Sequence, residues 1–343
     1  MPHTPPPVRA AAALAAAAAL ALLPVVAPAQ GARRVVTVAL YTPTPPGPTL
    51  ACAAPPADDL SHLGDEFAGG APLVGAGGRW KWFHEENGWP SMVRRAEIDA
   101  RAGQLVLEPA QSGWFADYHA PFLYQTIAGD FDVTARVRAT SVAAGDTAMP
   151  RALWSLVGLM ARVPRPVTPQ TWQPRGENWL FVTTGTAEAP GVPVFETKST
   201  VNSGSNLKLR PARADWMELR VVRLREVFVL LTRMPGEGWR VRERLLRRDV
   251  PWGGPLQVGL VAYSDGTNAP PEHRDPLAHN AAPAAERAAV GNPDLRARVD
   301  WVRVRRPPVL QGVAPDWLVD HEVSEAALLA FLDGCRGGAA AGR

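Results

Sequence analysis

Hydrophobic and polar residues alternate one by one between Gly129 and Thr140. The apolar positions are Phe131, Val133, Ala135 and Val137, and the polar ones are Asp132, Thr134, Arg136 and Arg138. A period of two places the two sets on opposite faces of an extended chain. The segment therefore predicts a half-buried β-strand with one face in a core and the other in solvent.

Similar strand patterns recur along the chain. Residues 153–163 are almost continuously apolar, which predicts a central strand that is covered on both faces. Gly158 in this segment allows a neighbouring segment to approach closely. Further strands are predicted near residues 80–82, 104–108, 122–125, 178–184, 215–224, 227–233, 239–246, 256–263 and 298–305. The sequence therefore predicts an all-β fold, a two-sheet antiparallel β-sandwich over residues 59–308, with long loops at 164–176 and 268–293.

The C-terminal tail, residues 309–343, has a helical pattern. Ser324 suits an N-cap, Val323 and Leu328 are spaced as a hydrophobic staple, and Gly334 can end the helix. A helix this short is not stable alone. We expect it to dock on the sandwich or on a protein partner.

The N-terminal segment predicts export. Arg9 precedes an apolar run over residues 10–26, and Ala27 and Ala29 are small residues of the kind that a signal peptidase reads. Residues 1–29 are therefore interpreted as a signal peptide, with an uncleaved anchor as the alternative. Residues 30–58 are rich in Pro and Ala and predict a linker. The mature chain is expected to lack a membrane span and to be secreted, periplasmic or on the cell surface.

Charge and cysteine content narrow the function classes. The chain has 36 Lys plus Arg against 33 Asp plus Glu, and much of the Arg lies in strand patterns opposite acidic residues. This indicates a solvated strand face, and we expect no nucleic-acid partner.

Two cysteines are too few for a disulfide framework. Cys52 and Cys335 could join the termini in an oxidising compartment, and two free thiols are the alternative.

No catalytic set is evident. A glucanase pair would read Glu-x-Asp-x-Glu on one strand, and Glu97-x-Asp99 is followed by Arg101 instead. His84-Glu85 and His321-Glu322 begin like a zinc-protease motif but lack the second His. We assign no catalytic residue.

Twelve tryptophans are the strongest functional signal. Sugar rings stack on indole faces while neighbouring polar groups bind their hydroxyls. Tryptophans in strands are interpreted as core, and those in loops as candidates. The predicted carbohydrate-binding residues are Trp89, Trp114, Tyr118, His119 and Trp172.

Calcium is a possible cofactor. The carboxylates Asp65, Glu66 and Asp300 belong to the first and last strands, whose ends tend to be neighbours in a sandwich. Salt bridges with nearby arginines are the alternative for the same three residues.

Seven short motifs occur in an order that resembles one family. They are Asp65-Glu66-Phe67, Trp80-x-Trp82, Gly129-Asp130-Phe131, Val157-Gly158-Leu159-Met160, Asp215-Trp216-x-x-Leu219-Arg220, Gly238-Trp239 and Val258-Gly259-Leu260. Over residues 60–306 the chain resembles the regulation-of-enolase-like bacterial proteins of the concanavalin-A-like lectin/glucanase superfamily.

The resemblance implies a jelly roll, a fold used by carbohydrate-binding proteins, glucanases and lyases, and it implies no activity by itself. The function expected is an exported, non-catalytic, lectin-like module. The alternatives are a glycoside hydrolase or lyase of the same fold and a structural or protein-interaction module.

Overall fold

The computed structural model of the chain describes residues 50–53, 58–248, 252–312, 314–319 and 323–334. The predicted signal peptide, most of the predicted linker and Cys335 lie outside these residues. The cleavage of residues 1–29 and the pairing of Cys52 with Cys335 therefore stay predictions.

Strands dominate the described residues. They are β1 (Ala51–Ala53), β2 (Lys81–Trp82), β3 (Val93–Asp99), β4 (Gln104–Pro109), β5 (Phe122–Ile127), β6 (Phe131–Ser141), β7 (Ser155–Arg162), β8 (Trp179–Thr186), β9 (Pro193–Val201), β10 (Gly204–Pro211), β11 (Met217–Leu224), β12 (Val227–Arg233), β13 (Arg240–Leu246), β14 (Leu256–Tyr263), β15 (Leu295–Arg305) and β16 (Val309–Gln311). The helices are α1 (Phe83–Asn87), α2 (Pro276–Ala281), α3 (Ala284–Ala288) and α4 (Glu325–Gly334).

Fourteen of these strands form two antiparallel seven-stranded sheets. The first sheet has the order β10-β9-β8-β7-β14-β5-β2, and the second has the order β13-β12-β11-β6-β15-β4-β3. The remaining strands, β1 and β16, pair with each other. The predicted all-β sandwich with a short C-terminal helix is confirmed.

The alternating segment predicts the inner face of β6 correctly, whereas its outer face is not in open solvent, since Asp132 is 1% exposed. In β6 the side chains of Phe131, Val133, Ala135 and Val137 are at most 1% exposed and join the core between the two sheets. Because β6 lies between β11 and β15, its register with both strands fixes the middle of the second sheet.

Close backbone approach explains two glycines in the centre of the first sheet. A Cβ atom on Gly158 of β7 would lie 2.1 Å from the Val182 carbonyl oxygen. A Cβ on Gly259 of β14 would lie 2.0 Å from the Leu123 carbonyl oxygen. Every residue of β7 is buried, as its apolar run predicts.

The prediction missed two of the four edge strands of these sheets. β3 and β10 end their sheets and carry mostly polar residues, as edge strands do to avoid pairing with other chains. β9 was also missed because its buried outer face carries Glu196, Lys198 and Thr200 rather than apolar residues.

Two further predictions are corrected. The segment 268–293, predicted as a loop, contains α2 and α3. α2 begins with the N-cap Asp275, whose side chain accepts a hydrogen bond from the Ala278 amide, and with Pro276 at its first position. Residues Ala51–Ala53, predicted as linker, form β1.

Both sheets are covered on their outer faces. α4 packs the side chains of Leu328, Phe331 and Leu332 on the outer face of β11 and β12. Ser324 caps it by accepting a hydrogen bond from the Ala327 amide at 3.1 Å, and Val323 is buried with Leu328 as a staple. α4 thus docks on the sandwich, one of the two expected places. No helix in the described ranges is long and apolar enough to cross a membrane.

Candidate functional site

A layer of loops and helices covers the outer face of the first sheet. This cover layer consists of α1, residues 110–121, residues 164–176, α2 and α3. It buries an aromatic cluster against β5, β7, β8 and β14, including Phe83, Trp89, Trp114, Trp179 and Phe181. The face on which an open sandwich would bind a ligand is therefore mostly filled by the protein's own rings.

Three of the predicted sugar-binding residues lie inside this cluster. Trp89 is 5% exposed, and Trp114 and His119 are each 1% exposed. The His119 ring lies 5.2 Å from that of Trp89 and 5.5 Å from that of Trp114. The structure brings them together as predicted, but as a buried core. The expectation that they form an exposed platform is wrong.

The other two predicted residues lie at the margin of the cluster. Tyr118 is half-buried, donates its hydroxyl hydrogen to the Arg274 carbonyl and packs edge-on against His279. Trp172 is half-buried against the cluster. Both rings fasten the cover layer, and neither lines the pocket described below.

His119 belongs to a buried ionic network. Its Nε2 lies 3.4 Å from Glu177 Oε1, and Arg162 donates to both Glu177 oxygens at 2.9 Å. Arg165 Nη1 contacts the same carboxylate at 3.2 Å, and Arg162 also donates to Gln257 at 2.7 Å. This network joins β7 and β14 to the loops at 110–121 and 164–176.

The network fixes the charge of both titrating members. Burial lowers the pKa of His119 more than the contact with Glu177 raises it, so the imidazole is neutral at pH 7. Burial alone would raise the pKa of Glu177, but the charge of Arg162 and the His119 hydrogen bond outweigh it, and the pKa lies well below its usual range. A neutral, enclosed imidazole has no access to a ligand.

One opening remains at the end of this layer. A pocket of about 220 Å³ lies between residues 113–115, the start of β7, β9 and the end of β14. We call it the aromatic pocket. Its lining residues are Gly113, Trp114, Phe115, Trp154, Lys198, Leu207, Tyr263, Gly266 and Thr267. Phe115 is 51% exposed, so its ring is open to solvent.

Backbone strain occurs on two sides of this pocket. Trp154 has φ of 54° and Ala116, next to Phe115, has φ of 50°. Bulky residues rarely adopt this left-handed conformation, and such strain concentrates at binding and active sites. Ala116 is held by a hydrogen bond from its amide to Ser205 Oγ at 2.9 Å, and Trp154 by one from its amide to the Ala187 carbonyl at 3.2 Å.

Lys198 forms the polar floor of the pocket. Its Nζ lies 2.7 Å from Glu196 Oε1 and donates to the Trp114 carbonyl at 2.9 Å. It also lies 5.6 Å from the ring centre of Trp154 and 5.9 Å from that of Phe115. The Lys198 ammonium is thus compensated by one carboxylate and surrounded by ring faces that favour a cation.

Tyr263 is the second polar residue of this floor. Its hydroxyl donates to the second oxygen of Glu196, which is fully buried. Burial, followed by the charge of Glu196, raises the pKa of Tyr263 well above its usual range. The phenol therefore stays protonated near pH 7, and its one hydrogen is committed to Glu196.

A larger groove lies on the outer face of the second sheet beside α4. Its volume is about 420 Å³, and its lining includes four arginines, three carboxylates, Trp239 and Trp301. Its charges are already paired, for example Arg220 with Asp132 at 2.8 Å. Its ring faces are occupied too, because Arg303 lies 4.1 Å from the centre of Trp301.

The predicted calcium ligands are engaged by other partners. Glu66 Oε1 lies 2.9 Å from Arg303, and Asp300 lies 2.5 Å from Arg136. Asp65 accepts hydrogen bonds from the indole of Trp80 and the Phe67 amide, each at 2.9 Å. The two segments do meet, since Asp65, which lies outside the strands, forms an isolated β-bridge with Val302 of β15. Within the described ranges, however, no group of three His, Cys, Asp or Glu side chains is arranged to hold a metal ion.

Comparison with known proteins gives only distant similarities. No family model matches the chain, and no curated protein matches it. Similar solved structures include a functionally unknown protein from Saccharomyces cerevisiae, with 14% identity, a TM-score of 0.42, and 67% of this chain and 97% of that chain covered.

Two further similar structures are of a GH43 protein and of a beta-1,3-glucanase. One is the GH43 protein BlXynB from Bacillus licheniformis, with 13% identity, a TM-score of 0.43, and 71% of this chain and 39% of that chain covered. The chain therefore spans about two fifths of its length. The other is a beta-1,3-glucanase from Mycobacterium marinum, with 13% identity, a TM-score of 0.39, and 70% and 97% covered. Similarity at this level leaves the specific family a prediction.

Sequence reasoning named one ring that lines the pocket, Trp114, and missed two others, Phe115 and Trp154. Phe115 directly follows the predicted Trp114, and strand alternation gave no reason to prefer it. Trp154 lies at the start of an apolar strand and was interpreted as core. Lys198 lies in the unpredicted β9, where the alternation of Glu196, Lys198 and Thr200 was the available signal.

Proposed function

We propose that the chain is an exported, non-catalytic carbohydrate-binding module that holds a single sugar ring in the aromatic pocket. Phe115 and Trp154 supply the stacking faces, while Lys198 and Thr267 supply polar contacts to sugar hydroxyls. The observation that carries the proposal is the half-exposed ring of Phe115 beside the strained Trp154, where a pocket opens between these rings.

The size and polarity of the pocket support this assignment. Its volume of about 220 Å³ lies below the ~300 Å³ at which pockets for drug-sized ligands begin. It therefore suits one ring, such as a chain end or a branch, better than an oligosaccharide laid across the sheet. Because Glu196 already compensates Lys198, the pocket favours a neutral sugar.

The absence of carboxylates from the described lining supports a binding role over hydrolysis. Glycoside hydrolysis ordinarily needs two carboxyl groups on either side of the scissile bond. Glu196 lies behind Lys198 and Tyr263 and is fully buried. Glu97, in the nearest match to a glucanase motif, lies in β3 and forms an ion pair with Arg95.

The test is a glycan array probed with the purified protein, followed by calorimetric titration of any retained glycan. We expect binding of a neutral glycan with no product released. Phe115→Ala should weaken binding about two- to ten-fold, because an aromatic stacking contact contributes ~0.5–1.5 kcal/mol. Trp317→Ala is the matched control, since Trp317 is 45% exposed and does not line the pocket.

Each alternative function has its own outcome. New reducing ends would identify a glycoside hydrolase, and unsaturated sugar products a lyase. Failure to retain any glycan, together with a protein bound through α4 or a sheet face, would favour the interaction module. Equal weakening by Phe115→Ala and Trp317→Ala would reject the aromatic pocket as the site.

Export is tested separately. Mass spectrometry of the protein recovered outside the cytoplasm should give an N-terminus that follows residue 29. A chain that retains residues 1–29 in a membrane fraction would establish the anchored alternative.

A further inference from the structure

A further cavity lies between the two sheets, on the side of the sandwich where β10 and β13 are the edge strands. We call it the edge cleft. Its volume of about 340 Å³ falls within the range of ligand pockets, which begins at ~300 Å³. Lys198 lines both this cleft and the aromatic pocket, so β9 lies between the two sites. The described lining residues are Thr197, Lys198, Ser199, Asn206, Lys208, Leu230, Glu243, Leu245 and Arg247.

The inner faces of the strands become polar on this side of the sandwich. In β9, Phe195 belongs to the core between the sheets, and alternation places Thr197 and Ser199 on the same face. In β10, Lys208 reaches the opposite sheet, and alternation places Asn206 on that face too. Hydroxyl and amide groups therefore face the cleft, whereas the core cluster beside it is apolar.

Two cations share one carboxylate at the cleft. Lys208 Nζ lies 2.8 Å from Glu243 Oε2, and Arg210 Nη2 lies 2.8 Å from Glu243 Oε1. Burial alone would raise the pKa of Glu243, but the hydrogen bonds from Lys208 and Arg210 outweigh it and lower the pKa, so the group is ionised at pH 7. These three groups together carry one surplus positive charge.

Lys208 is the cation that a ligand can reach most easily. Its side chain is 56% exposed, against 26% for Arg210 and 13% for Glu243. An ammonium group has three donor hydrogens, so Lys208 can bind an added anion while it keeps its contact with Glu243. One anionic group would balance the surplus charge.

We propose that the edge cleft binds a small sugar acid, which carries one carboxylate and several hydroxyl groups. The carboxylate lies beside Lys208 and balances the surplus charge. The hydroxyls pair with Ser199 and Asn206, and the apolar side of the sugar ring packs on Leu230 and Leu245. The cleft is separate from the aromatic pocket, so this inference stands whether or not that pocket binds a neutral sugar.

The test is calorimetric titration of the purified protein with sodium glucuronate and with glucose, which has the same ring but no carboxylate. Sodium chloride keeps the ionic strength equal. We expect glucuronate to bind at least about ten-fold more tightly than glucose, because hydrogen bonds to charged groups are stronger than those between neutral groups. Crystals of the wild-type protein soaked in glucuronate should place its carboxylate within hydrogen-bond distance of Lys208 Nζ.

Lys208→Gln removes the charge and keeps a long polar side chain. We expect it to weaken glucuronate binding about ten-fold. Lys81→Gln is the matched control, because Lys81 is 55% exposed, pairs with Glu86 at 3.0 Å and lies in β2, at the opposite edge of the first sheet. This control and Phe115→Ala should both bind glucuronate as the wild type does.

Three results would overturn the proposal. One is equal binding of glucuronate and glucose by the wild-type protein, or binding of neither. Another is weaker glucuronate binding by Phe115→Ala, which would assign the acid to the aromatic pocket. The third is self-association of Lys208→Gln with unchanged glucuronate binding, since Lys208 would then only protect the edge strands from pairing with other chains. The wild-type titration remains decisive if a variant does not fold.

Discussion

Replacing Glu177 by Gln would test whether the buried ionic network stabilises the cover layer. Glu177 and Arg162 are both 0% exposed, and their two hydrogen bonds are each 2.9 Å long. The substitution keeps the shape of the side chain but leaves the Arg162 charge buried with only neutral partners, the new amide oxygen and Gln257. Removing one member of a buried pair typically costs about 3–5 kcal/mol.

The measurement is urea-induced unfolding at pH 7, with Glu97→Gln as the control. Glu97 pairs with Arg95, but both side chains are exposed, at 50% and 43%, so its loss should cost less than about 1 kcal/mol. A free energy of unfolding for Glu177→Gln within about 1 kcal/mol of the wild type would refute the assigned role of the network.

The same substitution has a pH signature. The pKa of Glu177 in the folded protein lies well below its usual value of 4.5. The folded carboxylate therefore contributes stability that is fully present above pH 4.5 and is lost progressively as the pH falls towards the folded pKa. The stability difference between wild type and Glu177→Gln should accordingly shrink below pH 4.5. A difference that stays constant down to pH 3 would contradict this assignment.

Two other substitutions test the fold. Gly259→Ala would bring a Cβ atom to 2.0 Å from the Leu123 carbonyl oxygen, and we expect it to lower the free energy of unfolding by at least about 3 kcal/mol. Gly238→Ala is the control and should be nearly neutral, because a Cβ atom there has no atom within 4 Å. Similar free energies of unfolding for the two variants would contradict the close approach. Ser324→Ala should lower the free energy of unfolding by about 1 kcal/mol and speed amide hydrogen exchange in α4, while Ser324→Thr should retain most of the cap. Unchanged hydrogen exchange in the Ala variant would argue against capping by this side chain.

The strands that the sequence predicted well are those whose environment follows a simple rule. β6 alternates because it has one face in the core, and β7 is continuously apolar because both of its faces are covered. α4 was located because its cap and staple are local features, a few residues apart. In each case the information lies within one short segment.

The strands that were missed depend on distant partners. β9 carries Glu196 and Lys198 on a buried face, which is tolerable only because Tyr263 and the Trp114 carbonyl, far away in the chain, satisfy them. β3 and β10 are polar because they lie at sheet edges, and the sequence does not show which strands will lie at the edge of a sheet.

The candidate site was decided almost entirely by tertiary structure. The sequence identified the loop aromatics around Trp114 as candidates for ligand binding. It could not determine which rings would be covered, because burial depends on how residues 110–121, 164–176 and α2 pack together over the sheet. Trp89, Trp114 and His119 became buried, while the exposed Phe115 and the half-buried Trp154 became part of the pocket lining. Alternation along a strand fixes a face, but whether that face meets solvent depends on contacts between segments far apart in the chain.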